Sequence, residues 1–171
     1  MKIRIAKPSD AYHIAKVQID SWQSTYKGIL SEDYLKDLNY KTKELKWYNT
    51  LQNQTVYVVE NLDEEIVGFA HGGPSEKAVC PTFTGELYSI YLLQHYQYQG
   101  LGKLLFDAVA SKLMNEGFSS LKVFVLDQNP SRLFYEALGG KEIEVTSVEI
   151  HGIDYREIVY GWESIGTKII T

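Results

Sequence analysis

A single cysteine, Cys80, stands in 171 residues. One thiol excludes an intramolecular disulfide and any zinc cage built on cysteine. No acid–base constellation surrounds it, so it reads as a packed or loop thiol and not as a nucleophile. Long apolar runs are missing too: nothing approaches the ~20 residues of a membrane span. The stretch Met1–Pro8 carries charges where a signal peptide needs an apolar run. These absences predict a soluble, reduced, cytoplasmic protein. Positive charge is in short supply, with 17 Lys and Arg against 22 Asp and Glu and a net charge of −5. A long nucleic-acid footprint normally needs a basic face, so a nucleic-acid partner is not expected. Proline is scarce, with four in the chain, and no Pro/Gly/Ser-rich linker, low-complexity tract or repeat interrupts it. One domain over residues 1–171 follows. The four histidines, His13, His71, His95 and His151, lack metal-ligand spacing, so no metal is expected. Only His71, at the end of a strand, is worth watching.

What is present is an ordinary globular composition, 44% hydrophobic and 23% charged. Residues 2–6 read as a short strand. Pro8-Ser9-Asp10 is a helix start, with Ser9 as N-cap, and Ile14, Val17 and Trp22 give helix 11–22 its apolar stripe. Residues 23–54 hold one or two further helices. The period then changes to a strand at 55–60, a turn at 61–64 and a partner strand at 65–71. Gly72-Gly73-Pro74 opens a loop to about Phe83. A strand at 86–93, an amphipathic helix at 101–116 and an apolar strand at 121–126 follow. A short helix then starts at Asn129 as N-cap with Pro130 at its first position and ends at Gly139. Strands 142–150 and 153–162 flank His151-Gly152, a two-residue hairpin turn. The order predicts one mixed α/β (α+β) domain with a sheet too antiparallel for a doubly wound fold.

The most informative stretch is Leu92-Leu93-Gln94-His95-Tyr96-Gln97-Tyr98-Gln99-Gly100-Leu101-Gly102-Lys103. It leaves a strand and enters a helix through Gln97-x-x-Gly100-x-Gly102. A helix N-terminus offers unpaired N–H groups and a partial positive charge, and alternate glycines let an anion come close. A phosphate or pyrophosphate at 97–103 is one reading; a glycine-softened turn is the other. A Walker loop fails because Leu104 follows Lys103, and a dinucleotide fingerprint fails because position 105 is Leu.

This loop resembles the acyl-CoA pyrophosphate loop of the GNAT superfamily of N-acetyltransferases. Asn129-Pro130-Ser131-Arg132-Leu133-Phe134-Tyr135-Glu136-Ala137-Leu138-Gly139-Gly140 resembles that family's later signature. The resemblance implies a central, mostly antiparallel sheet, splayed at its fourth and fifth strands and flanked by helices. It implies acetyl-CoA as co-substrate, carried on the strand segment Ile90, Tyr91 and Leu92. Main chain of Ile90 and Leu92 would pair with the pantetheine amides. The backbone at Gln97, Tyr98, Gln99, Gly100, Leu101, Gly102 and Lys103 would bind the pyrophosphate. Asn129 would hydrogen-bond the pantetheine, beside its plainer role as a helix cap. Many family members carry glycine where Tyr98 stands, so Tyr98 is expected to point outward.

Acetylating an amine of pKa ~10.4 near neutral pH requires removing a proton at a cost of about 4–5 kcal/mol. Glu86 stands 11 residues before Gln97, the spacing of the general base in the histone-acetylating branch that this stretch resembles. Its plainer reading is a solvated strand carboxylate. Tyr135 is the resemblance's general acid, a phenol of pKa ~10 able to protonate a thiolate of pKa ~8.5; otherwise it packs its ring inward. The acceptor would be an amine-bearing small molecule or a protein amino group, walled by residues near Trp22, Tyr26, Tyr34 and the 72–83 loop. Direct transfer in a ternary complex is expected, since no covalent nucleophile is apparent. A non-catalytic acyl-CoA-binding sensor or scaffold module would share the cofactor motifs but need neither acid nor base. The terminal strand pair either closes the sheet edge or leaves it open to another chain, and the resemblance to family members that dimerise through such strands implies a homodimer.

Overall fold

The structure, a computed structural model, describes residues 1–166. In chain order the elements are β1 (Lys2–Ile5), α1 (Ala11–Thr25), α2 (Glu32–Lys36), α3 (Tyr40–Asn53), β2 (Val56–Glu60), β3 (Ile66–Pro74), β4 (Gly85–Leu92), α4 (Leu101–Asn115), β5 (Leu121–Leu126), α5 (Arg132–Ala137), β6 (Lys141–Ile150) and β7 (Ile153–Trp162). Seven strands form one sheet in the order β1-β2-β3-β4-β5-β7-β6. The pairs β1–β2, β2–β3, β5–β7 and β6–β7 are antiparallel, and β4–β5 is parallel. This is the mixed α/β architecture expected from the sequence. The described residues fold as two compact units, one made of Met1–His71 with Ser89–Ala108, the other of Gly72–Tyr88 with residues 109–166. The boundaries fall inside β3, β4 and α4 and not in linkers.

In the first unit, helices α1 and α3 pack together over β2 and β3. Ile14, Val17, Trp47, Leu51, Val56, Val58, Ile66 and Phe69 make its core. The Trp47 indole stands edge-on to Phe69 at 4.9 Å, and its N–H donates to Gln18 Oε1 at 2.8 Å. The first helix starts later than Ser9: Pro8–Asp10 form a 3-10 turn, and Asp10 accepts the Lys7 N–H at 2.7 Å. Residues 23–54 hold two helices, capped by Ser31 on Tyr34 N–H and by Asn39 on Thr42 N–H. In the β2–β3 turn, Asn61 Oδ1 accepts the N–H groups of Asp63 and Glu65, both at 2.9 Å.

The β3 strand runs three residues further than its glycines suggest. Gly72 lies so close to its neighbours that a Cβ there would meet Glu86 O at 2.7 Å. The Gly-Gly pair therefore serves close strand packing and not a loop. In the second unit the β4–β5 ladder holds only Gly85↔Leu121, Glu86↔Lys122 and Leu87↔Val123. Strand β5 continues to Leu126, paired along its other edge with β7. Helix α5 starts at Arg132 with Ser131 as its cap residue, two residues past the expected Pro130 start. Its stop is as expected, with Gly139 at φ +81. The β6–β7 hairpin turns on His151 at φ +53 and Gly152 at φ +76, two left-handed residues as a type I′ turn requires.

Candidate active site

In the first unit, β4 leads through a 3-10 turn at Gln94–Tyr96 to residues 97–100 and the start of α4. Tyr98 adopts φ +59 and is 102% exposed, so its ring does point outward. Gly100 adopts φ +79, and a Cβ built there would meet nothing within 4 Å. The first i→i−4 bond of α4 runs from Leu104 N–H to Gly100 O at 3.2 Å, so the amides of residues 101–103 belong to the helix's unpaired first turn. Open space over a glycine, beside a helix start, suits an anion rich in oxygens.

The glutamines do something the motif alone does not reveal. Gln97 donates its side-chain amide to Leu92 O at 3.1 Å, and Gln99 donates to His95 O at 2.9 Å. The first braces the loop onto the end of β4, and the second ties it to the 3-10 turn. Ser21 Oγ also donates to Leu92 O, at 3.3 Å, so that carbonyl's two lone pairs are engaged within the fold. Gln97 N–H is committed to Gln94 O at 3.2 Å, which narrows the anion-facing stretch at that end. Lys103 pairs with Asp107 at 2.7 Å. Ile90 is half-buried, and the buried hydroxyl of the neighbouring Ser89 has no hydrogen-bond partner among the described residues. That orphaned polar atom on β4 fits a ligand with amides to offer.

Three aromatic residues expected near an acceptor do come together. The Trp22 ring lies 5.2 Å from Tyr26 and 6.2 Å from Tyr34, with Tyr91 at 6.4 Å. The Trp22 indole N–H is buried with no hydrogen-bond partner among the described residues. The Lys43 ammonium lies 5.4 Å from the Trp22 ring centroid, and burial, then the charge of Lys46, lowers its pKa. His71 is buried and paired with Gln54 Oε1 at 2.6 Å, beside Trp47, which is a structural role.

In the second unit Glu86 is 5% exposed, not a solvated strand carboxylate. Its Oε2 accepts from Ser75 Oγ at 3.3 Å and from Glu76 N–H at 3.2 Å. Its ladder partner on β5 is Lys122, at 0% exposure. Residues paired across a ladder share a face, so Glu86 and Tyr88 lie on the face of Lys122, Phe124 and Leu126. The Lys122 ammonium donates to three carbonyls of the covering loop, Lys77 O at 3.1 Å, Val79 O and Cys80 O at 3.3 Å. The Tyr88 hydroxyl donates to Pro74 O at the loop's start. Burial, then the negative charges of Glu76 and Glu86, push Tyr88 up to about 12. Sequence reading missed Lys122, whose signal was a lysine inside the apolar run Leu121–Leu126. It also missed the pair Lys77–Glu157, 3.2 Å apart.

Tyr135 is 5% exposed on α5. Its ring packs against Phe134, Tyr160 and Trp162 with centroids 5.4, 6.1 and 6.3 Å away. Tyr160 and Trp162 are in register with Val123 and Leu121, so they face away from Lys122. Glu86 and Tyr135 therefore lie on opposite faces of the second unit's sheet. Asn129 is buried, and its Oδ1 accepts from Ser131 N–H at 2.9 Å and Ser131 Oγ at 2.8 Å. It accepts the N–H two residues on, the bond expected of a cap, although the regular helix begins only at Arg132. Among the described residues no group of His, Cys, Asp and Glu is arranged to hold a metal ion.

A model of the Acetyltransferase (GNAT) family matches residues 17–140. The chain is 40% identical over 163 residues to Uncharacterized N-acetyltransferase YuaI of Bacillus subtilis (strain 168), covering 95% of this chain and 93% of that one. It is 28% identical over 152 residues to Spermidine N(1)-acetyltransferase of Thermoplasma acidophilum, covering 85% and 92%. It is 30% identical over 106 residues to [Ribosomal protein bS18]-alanine N-acetyltransferase of Haemophilus influenzae, covering 57% and 66%. In fold it is similar to a GCN5-related N-acetyltransferase structure from Rhodopseudomonas palustris, with TM-score 0.75 at 20% identity over 94% of this chain and 93% of that one. A Salmonella typhimurium structure of yncA, a putative acetyltransferase with its cofactor acetyl-CoA, gives TM-score 0.71 at 18% identity over 95% and 92%.

Proposed function

Because the chain belongs to the GNAT acetyltransferase family, we propose that it moves the acetyl group of acetyl-CoA onto a primary amine by direct transfer in a ternary complex. Acetyl-CoA supplies the acetyl group as an activated thioester. The main chain at 98–103 and the open space over Gly100 receive the pyrophosphate, and β4 around Ser89 and Ile90 receives the pantetheine amides. The acceptor is an amine of a small molecule or a protein, in keeping with relatives named for spermidine and for a ribosomal protein. The unit boundaries inside β3, β4 and α4 support one N-acetyltransferase domain over the chain. A cytoplasmic location and a homodimer complete the reading.

One observation carries the chemistry: Glu86 and Tyr135 are buried on opposite faces of the same sheet. An amine approaching from the Glu86 face and a thiol leaving on the Tyr135 face need a base on one side and an acid on the other. Glu86, held by Ser75 Oγ and Glu76 N–H, takes the proton that the amine must lose, directly or through water. Tyr135 hands its phenolic proton to the departing sulfur; the transfer runs uphill from a phenol of pKa ~10 to a thiol of pKa ~8.5, so it depends on the phenol being positioned at the sulfur as the carbon–sulfur bond breaks.

The test uses two variants once an active amine is found by thiol release. Tyr135→Phe keeps the ring, so CoA affinity stays while kcat falls by at least ~10-fold. Glu86→Gln loses rate at neutral pH and regains it as pH rises toward the acceptor's own pKa, where free amine needs no base. Full kcat in both variants would remove the acid–base assignment and leave proximity as the source of rate. Absence of thiol release with any amine would turn the reading to an acyl-CoA sensor.

A further inference from the structure

Three consecutive loop residues cover both buried carboxylates on the Glu86 face of the second unit. Ser75 Oγ and Glu76 N–H bind Glu86, and the Lys77 ammonium binds Glu157 Oε2 at 3.2 Å. Glu157 is 7% exposed, and it pairs in register with Leu126, on the same face as Phe124 and Lys122. The Lys77 ammonium also lies 3.7 Å from the centroid of the Phe124 ring. A ring face together with a buried carboxylate is how a protein recognises an ammonium ion. Here the cation comes from a side chain that remains 42% exposed, so its ammonium has a path to solvent that the carboxylate lacks. The backbone beneath it is fixed independently, because Lys122 ties the carbonyls of Lys77, Val79 and Cys80. The lysine side chain can therefore swing out without the loop leaving.

We propose that Glu157 and Phe124 form a second ammonium subsite on the Glu86 face, held in this structure by Lys77, and that the acceptor is an amine with at least two positive charges whose distal ammonium displaces Lys77. The proposal rests on the N-acetyltransferase reading and narrows its acceptor. One amine of such a molecule presents itself to Glu86 for acetylation: it loses a proton to the base, its nitrogen bonds the acetyl carbon, and the carbon–sulfur bond of acetyl-CoA breaks, the sulfur leaving as the CoA thiol with a proton from Tyr135. The other stays charged between ring and carboxylate and fixes which nitrogen reacts. A monoamine has nothing to offer the subsite and leaves Lys77 in place.

Calorimetry on the full chain saturated with CoA tests this at low ionic strength, with α,ω-diamines of four and eight carbons and with butylamine. At least one diamine should bind about 10-fold tighter than butylamine. Lys77→Met keeps an apolar stem on Phe124 and removes the competing charge, so the diamine-to-butylamine affinity ratio should rise by ~3-fold or more. Glu157→Gln, and Phe124→Leu if that variant does not fold, should bring the ratio down to within ~2-fold of one. A wild-type ratio near one that Lys77→Met leaves unchanged overturns the subsite. So does a fall in melting temperature in Lys77→Met with no change in ratio, since the pair then only holds the loop. Thiol release from acetyl-CoA is measured alongside: its absence with every amine sinks the N-acetyltransferase reading, while the calorimetric ratio still decides the subsite by itself.

Discussion

Tyr98 holds a left-handed backbone, φ +59, with its ring wholly in solvent. Such a conformation costs a residue with a Cβ about 1–2 kcal/mol, and no packing of the exposed ring offsets it. Tyr98→Gly relieves the strain but frees the unfolded chain, which returns about 0.4–1 kcal/mol. The expected net is a gain of up to ~1 kcal/mol in urea unfolding, with CoA affinity kept. Gly100→Val should do the opposite. It places a branched side chain at φ +79 into the open space over the loop, so CoA affinity measured by calorimetry falls at least ~10-fold. Unchanged affinity in Gly100→Val would remove the phosphate loop from the reading. Arg4 and Asp10 make a further residue-level prediction in the first unit. Burial pushes the Asp10 carboxyl up, but the Arg4 hydrogen bonds at 2.7 and 3.1 Å and the Lys7 N–H outweigh it and hold its pKa below the usual value. A carboxyl lowered on folding stabilises the fold above its unfolded pKa of ~3.9 and loses that contribution as pH falls through the folded value. Asp10→Asn should therefore cost about 1–3 kcal/mol at neutral pH. Its stability should also fall less steeply than wild type below pH ~4, as read by urea melts across that range.

At the scale of elements, the covering loop and β3 act together on Glu86. Gly72 has Glu86 O 2.7 Å and Val109 Cγ1 2.7 Å from where a Cβ would stand. The oxygen belongs to a strand backbone that cannot step aside, so Gly72→Ala should destabilise by about 1–3 kcal/mol in urea. Loss of stability under a few tenths of a kcal/mol would mean that β3 and β4 adjust freely, contrary to this packing. The same glycine shows what a sequence conceals. Gly-Gly-Pro carries the local signature of a loop, and only the closeness of a neighbouring strand explains why it lies in β3. The branched and aromatic runs at β5 and β7 and the apolar spacing of α1 and α4 were legible, because their period is a local property. The start of α5 was not. Asn129 does accept the Ser131 N–H as a cap would, but the first bonds run from Arg132 N–H to Asn129 O and from Leu133 N–H to Pro130 O, a tighter turn that delays the regular helix to Arg132. The loop glycines and the positions of Glu86 and Tyr135 could be read from spacing. Their placement on opposite faces required the β5–β7 register. Glu157 could not be read at all, since its partner Lys77 lies 80 residues away.

For the molecule as a whole, the open question is its sheet edge. Strand β6 closes the order of the sheet, with β7 on its inner side. Its exposed residues include Lys141, Glu142, Glu144, Val145 and Glu149. An unpaired edge is a template for another strand, and charges along it are a common guard. A twofold dimer through β6 is isologous, so each copy brings the same glutamates to the contact. In a chain whose net charge is already −5, such an interface repels itself until salt screens it, over a Debye length of ~10 Å at 0.1 M. The homodimer is therefore expected to strengthen with salt, the reverse of an interface held by ion pairs. Light scattering at tens of micromolar should report a mass rising from near 19.5 kDa toward twice that value as sodium chloride increases. Val145→Glu adds a charge at a position 40% exposed, so the fold should survive while the dimer recedes to higher salt. A mass of one chain throughout the titration rules out the dimer. A dimer indifferent both to salt and to Val145→Glu assigns the interface to a surface other than β6.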